Sequence, residues 1–120
     1  MVEKPSPTTS TTESAGWKKV NADTKGNTFY VDFERIRKVD GYVYYWTLVD
    51  FLKPLNNKLL SIKVYYQGDC KLFRAKKLSF FGHKEPMGGG AGKSYQFAEK
   101  LEYPPPNSPS EIVLKFVCSR

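Results

Sequence analysis

The feature that most constrains this chain is residues 42–52, a run in which both alternating sets of side chains are apolar. On a pleated strand Tyr42, Tyr44, Trp46 and Leu48 point one way, and Val43, Tyr45, Thr47 and Val49 the other. Such a strand belongs in the middle of a sheet, or needs something packed on each side. Two more strands follow it. Residues 59–67 alternate Leu60, Ile62, Val64 and Tyr66 with Ser61, Lys63 and Gln67, giving one apolar and one wetter side. Residues 70–81 mix Leu72, Phe73, Leu78 and Phe80 with Lys71, Arg74, Lys76 and Lys77. The connections at 53–58 and 67–69 are short enough for two antiparallel hairpins.

The flanking segments extend the same sheet. Residues 17–20 and 28–31 read as a hairpin around Lys25-Gly26-Asn27, where Gly26 or Asn27 can take positive φ. Asp32 can cap a short helical turn over 32–36, with Phe33 and Ile36 three apart, and Asp40-Gly41 turns the chain into the aromatic strand. Residues 82–93, with Pro86 and the run Gly88 to Gly92, are expected to be a mobile loop. Tyr95, Phe97, Leu101 and Tyr103 sit on odd positions and read as a strand, which Pro104, Pro105 and Pro106 end.

Ser108-Pro109-Ser110-Glu111 is a helix start, with Ser108 as N-cap and Glu111 closing a capping box. Ile112, Val113, Phe116 and Val117 share one face of the helix that follows. At about ten residues it is too short to stand alone in water, so it must lie on the sheet. A strand over 112–118 is the alternative, because short apolar runs are ambiguous by period. The expected fold is α+β: a single antiparallel sheet of about six strands, with a C-terminal helix packed on it and a helical turn near 32–36.

Residues 1–16, rich in Ser, Thr and Pro, hold one large apolar side chain besides Met1 and are expected to form a disordered tail, leaving 17–120 as one α+β domain. Such a segment suits a stalk between a domain and an anchor. The charged-then-apolar pattern of a secretory signal is absent, which fits either a cytoplasmic protein or an exported one whose signal lies outside this sequence. No apolar run is long enough to cross a bilayer as a helix. The net charge of +7 invites acidic partners, and is also an ordinary result of surface composition.

Chemistry is sparse. Gly88-Gly89-Gly90-Ala91-Gly92-Lys93-Ser94 looks like a phosphate cradle, but Met87 stands where its first glycine belongs and a strand follows where a helix should. Two cysteines and one histidine, His83, fall short of a zinc site, so no metal is assigned. With no paired carboxylates and no nucleophile elbow, catalytic residues are absent from the reading, as is any cofactor. For Cys70 and Cys118 a disulfide is favoured over two buried free thiols. It would stabilise the fold by roughly 4 kcal/mol in the chain-entropy model and would imply an oxidising compartment.

Taken together, Trp17, Thr28-Phe29-Tyr30-Val31-Asp32 with Ile36, Tyr45-Trp46, Ser61-Ile62-Lys63, Asp69-Cys70, Met87-Gly88-Gly89-Gly90, Tyr103-Pro104-Pro105 and Val117-Cys118 resemble the surface-adhesin protein E family of bacteria. The resemblance covers residues 17–118. It implies an exported domain with a loosely PAS-like antiparallel sheet, and a pairing of Cys70 with Cys118. The best-known members are lipid-anchored surface adhesins that bind host matrix proteins.

The leading expectation is thus an exported, non-enzymatic binding domain of the periplasm, outer membrane or cell surface, engaging a protein or glycan macromolecule. Lys71, Arg74, Lys76 and Lys77 are its candidate ligand-binding residues. Lys71 and Lys77 fall on one side of the strand and Arg74 and Lys76 on the other, so a solvated edge strand is the competing reading. The alternatives are a basic nucleic-acid binder, which a disulfide would disfavour, and a structural cell-envelope protein. A two-sided sheet with exposed aromatics also leaves homodimerisation open.

Overall fold

The doubly apolar run becomes the central strand because each of its sides finds its own kind of cover. The computed structural model describes residues 16–120. Its strands are β1 (Trp17–Ala22), β2 (Thr28–Asp32), β3 (Arg37–Val39), β4 (Tyr42–Asp50), β5 (Ser61–Asp69), β6 (Arg74–His83), β7 (Lys93–Ser94) and β8 (Leu101–Glu102), followed by one helix, α1 (Pro109–Cys118). The sheet runs β1-β2-β4-β5-β6-β7, with β3 also beside β4 and β8 also beside β6, and every pairing is antiparallel.

β2 and β3 share one edge of β4. A 3-10 turn at Phe33–Arg35 separates them, and its N-terminus is capped by the Asp32 carboxylate accepting from the Glu34 amide at 3.2 Å. β3 carries no sequence pattern; all three of its residues are exposed, and backbone pairing to Tyr42, Val43 and Tyr44 alone defines it.

Helix α1 starts at the Ser108 cap its sequence gives, but Glu111 closes back on Asn107 rather than on Ser108, whose amide donates to the Pro105 carbonyl. The Ser108 hydroxyl accepts from the Glu111 amide (3.2 Å), and the Glu111 carboxylate accepts from the Asn107 amide (2.8 Å). Val113, Leu114 and Val117 close over Val31, Val43 and Tyr45 to make the core. Gly68 leaves the hole that Leu114 fills: a Cβ there would lie about 3 Å from Leu114, Val43 and Tyr45. The far end of the helix is bound to the β5–β6 turn by the Cys70–Cys118 disulfide, which spans 48 residues. Lys38 of β3 donates to the carbonyls of Cys118 and Arg120, and the Arg120 guanidinium lies over the Phe33 ring at 3.7 Å.

Several sequence expectations need correction. The second hairpin turn is not 67–69. β5 runs on to Asp69, and the chain turns over residues 70–73, where the Asp69 carboxylate accepts from the Lys71 and Leu72 amides and Phe73 takes φ 53°. The strand expected from Cys70 therefore starts at Arg74 and continues to His83. The strand expected over 95–103 is reduced to two-residue pairings on either side of an irregular stretch, β7 and β8.

Ser61, assigned to the wetter side of its strand, is fully buried. The supposedly mobile segment after Phe81 is tied down through it. Ser61 donates to the Glu85 carbonyl (2.6 Å) and accepts from the Gly88 amide (2.8 Å), while the Asp50 carboxylate accepts from the Met87 amide (2.7 Å). The tail expectation falls on residues outside the described ones, except at Gly16, whose carbonyl accepts from the Phe33 amide.

Candidate functional site

Alternation along β4, β5 and β6 sends a second set of side chains away from α1. Tyr44 and Trp46 from β4, Lys63, Tyr65 and Gln67 from β5, and Phe81 and His83 from β6 all face this side. The rings form a contiguous platform: Trp46 to Tyr65 is 4.8 Å between centroids, Trp46 to Phe81 6.1 Å and Tyr44 to Tyr65 6.3 Å. Polar groups hold its edge. Gln67 donates to the Tyr44 hydroxyl at 2.8 Å, and Arg37 of β3 reaches the Tyr65 hydroxyl at 3.4 Å. These rings are only half-buried, although rings of this size normally dominate a core.

At one end of the platform lies a half-open cavity of about 430 Å³. Trp46 and Phe81 floor it, Trp17 and Asp32 come from the β1–β2 side, and Lys63, His83 and the glycine loop close the rest. Lys63 has no ion-pair or hydrogen-bond partner among the described residues. Its partial burial, with Arg35 nearby, holds its ammonium below the usual lysine range. Its stem crosses Gly88, which sits at φ +68° and whose missing Cβ would collide with that stem.

His83 is buried. Its Nδ1 faces the Gly89 carbonyl at 3.2 Å, which assigns the ring proton to Nδ1 and leaves Nε2 as a buried acceptor without a partner among the described residues. Burial, and then the nearby Lys63 charge, push its pKa below the ordinary histidine value. Asp32 is committed to its capping bond and to Arg35, 3.6 Å away. Because Arg35 is three-quarters exposed, that pair leaves its guanidinium free to engage a ligand.

The helix side also holds a cavity, of about 130 Å³, beneath the proline segment and against Tyr45 and Tyr66. Burial raises both hydroxyls' pKa well above the usual tyrosine value, so they stay neutral.

The sequence-predicted ligand residues do not gather. Lys71 is in the β5–β6 turn rather than on a strand. Arg74 pairs with Asp69 (3.6 Å) and donates to the Tyr103 hydroxyl (3.0 Å), whereas Lys77 pairs with Glu102 (3.6 Å) across the sheet edge. Lys76 points to the same side as Arg74. The glycine run is no phosphate cradle either, because Lys93 and Ser94 form β7 where a cradle needs a helix. Sequence reading missed Lys63, Arg35, Arg37 and the two-ring contact of Trp46. The available signal was the unassigned aromatic side of β4.

This is a single-sheet α+β domain with one face closed by a helix and the other left as a half-open aromatic surface. The chain belongs to the surface-adhesin protein E family, whose family model matches residues 17–119. It is similar in fold to the structure of Haemophilus influenzae protein E (TM-score 0.71, 15% identity, covering 98% of this chain and 91% of that one). A second crystal form of that protein gives TM-score 0.69 and 14% identity over 98% and 94% of the chains. Protein E from non-typeable Haemophilus influenzae gives 0.63 and 13% over 98% and 82%. No curated protein matches this chain.

Proposed function

We propose that this domain is exported and works as a non-enzymatic, adhesin-like binding domain that engages extracellular or host macromolecules through the uncovered face of its sheet. The observation that carries the reading is the platform of Tyr44, Trp46, Tyr65 and Phe81, rimmed by Arg35, Arg37 and Lys63, in a chain of a surface-adhesin family. Large half-wet rings flanked by arginine are the residue types that anchor binding interfaces. The Cys70–Cys118 bond supports an oxidising location. It also argues against the cytosolic nucleic-acid reading.

The basic residues Lys71, Arg74, Lys76 and Lys77 form a second, weaker contact for acidic partners in this proposal, acting through attraction at low salt. The test is binding of the purified domain to an immobilised extracellular-matrix extract. Trp46→Ala with Phe81→Ala is expected to weaken binding at least tenfold, and charge reversal of the four basic residues only two- to threefold. Full binding by the double ring variant removes the uncovered face from the proposal.

A further inference from the structure

We infer that the cavity at Trp46 is a subsite for an anionic sugar, a pyranose ring carrying a carboxylate or a sulfate. The inference rests on the reading of the uncovered face as the binding surface, and names what that face recognises. Its volume of about 430 Å³ falls within the roughly 300–1,000 Å³ usual for small-ligand sites.

Three features select the ligand class. The floor is a pair of rings, Trp46 and Phe81, inclined at 44° to one another, whose electron-rich faces suit the weakly positive C–H groups on one side of a pyranose. Beside it stands Lys63, a half-buried cation without a partner among the described residues; an anion there restores what desolvation took from its charged form. Arg35, three-quarters exposed and 3.6 Å from the buried Asp32 carboxylate, adds a planar fork that matches carboxylate or sulfate.

The third feature distinguishes a sugar from a bare anion. His83 lines the same cavity, and its buried Nε2 is an acceptor without a hydrogen-bond partner among the described residues, whereas the Asp32 carboxylate there already accepts from the Glu34 amide and faces Arg35. Nε2 needs a donor, and a bare carboxylate or sulfate brings none. A sugar acid brings hydroxyl donors and a negative charge on one rigid ring. Gly92 lies over the His83 ring, so a hydroxyl reaches Nε2 where this glycine backbone gives way.

The experiment uses the unsubstituted domain, whose two tryptophans, Trp17 and Trp46, both line the cavity and report on it. Fluorescence and calorimetric titrations at physiological salt compare a hyaluronan hexasaccharide (carboxylate), a heparin hexasaccharide (carboxylate and sulfate), sialyllactose, neutral lactose and a hexaglutamate peptide. The inference expects at least one acidic sugar to bind tenfold or more tightly than lactose and hexaglutamate. Which acidic sugar binds identifies the source of the anion.

Lys63→Gln is expected to weaken that binding at least tenfold with an unchanged unfolding midpoint. Lys115→Gln, an equal charge change on the helix side, is expected to leave it within twofold. Equal losses in both variants reduce the effect to net charge and overturn the inference. Tighter hexaglutamate binding overturns the sugar class in favour of an acidic peptide. If no sugar binds while Trp46→Ala still abolishes matrix binding, the subsite fails and the proposed function stands. If Trp46→Ala leaves matrix binding intact, the proposed function fails.

Discussion

On the helix side of the sheet, Val31, Val43 and Tyr45 meet Val113, Leu114 and Val117 with almost no surface left wet. On the other side, Tyr44, Trp46, Tyr65 and Phe81 come from the same or neighbouring strands and remain partly exposed. Both sets are apolar, so hydrophobicity does not separate them. What differs is the partner: one face has a capped helix fastened by a disulfide, and the other has only the loop that Ser61 and Asp50 hold over Leu48. Burial on the first face supplies stability. The rings on the second face keep surface available for association.

This contrast is testable from its strongest element downward. Replacing Cys70 and Cys118 together by serine frees the helix end and should lower unfolding stability by roughly 4 kcal/mol, read from urea midpoints. A loss below about 1 kcal/mol would mean that the helix holds its face without the cross-link. Leu114→Ala should cost about 3 kcal/mol, because a fully buried leucine leaves a cavity. Trp46→Ala should cost only about 1–2 kcal/mol, since part of its surface is already in water. Equal costs for the two would make the uncovered face a second core and end the distinction.

Ser61→Ala comes next, with an expected loss of about 1–3 kcal/mol, because it leaves the buried Gly88 amide without an acceptor. Faster hydrogen exchange confined to residues 85–90 would locate the effect; exchange unchanged there would show that the loop does not depend on Ser61.

The smallest effect is a pH dependence. His83 has a folded-state pKa below its unfolded value of 6.5, so the unfolded chain takes up the proton more readily. The stability that neutral His83 contributes is complete above pH 6.5 and declines as pH falls from there toward the lowered pKa. His83→Gln should flatten this part of the stability–pH curve, and an unaltered slope would assign the acid sensitivity elsewhere.

Much of the architecture was legible because it is written in local chemistry. The alternation of β4, the Ser108 N-cap and the Asp32 cap each involve residues within a few positions of one another. Asp69 also announced its turn, since aspartate bonds the amides just ahead of it, although the glycine before it drew attention to the wrong residues. The uncovered face was harder to see. Lys63 counted as a polar position opposite an apolar side, and nothing nearby in sequence says that Arg35, Phe81 and Gly88 converge on it. Ser61 is buried by bonds to residues 24 and 27 positions away, which no periodicity encodes. The basic cluster was visible as composition, but the carboxylates of Asp69 and Glu102 that engage two of its members arrive through pairing across the sheet.

The Cys70–Cys118 bond also sets how the domain carries a mechanical load. Tension applied between residues 17 and 120 crosses directly from Cys118 to Cys70, positions 48 apart in the chain, and bypasses the segment between them. β6, the glycine loop and α1 then lie off the force path, and the pull falls on the pairings among β1, β2, β4 and β5. The extensible length is correspondingly short, and Phe81, His83 and Gly92 on the wall of the Trp46 cavity belong to the shielded loop.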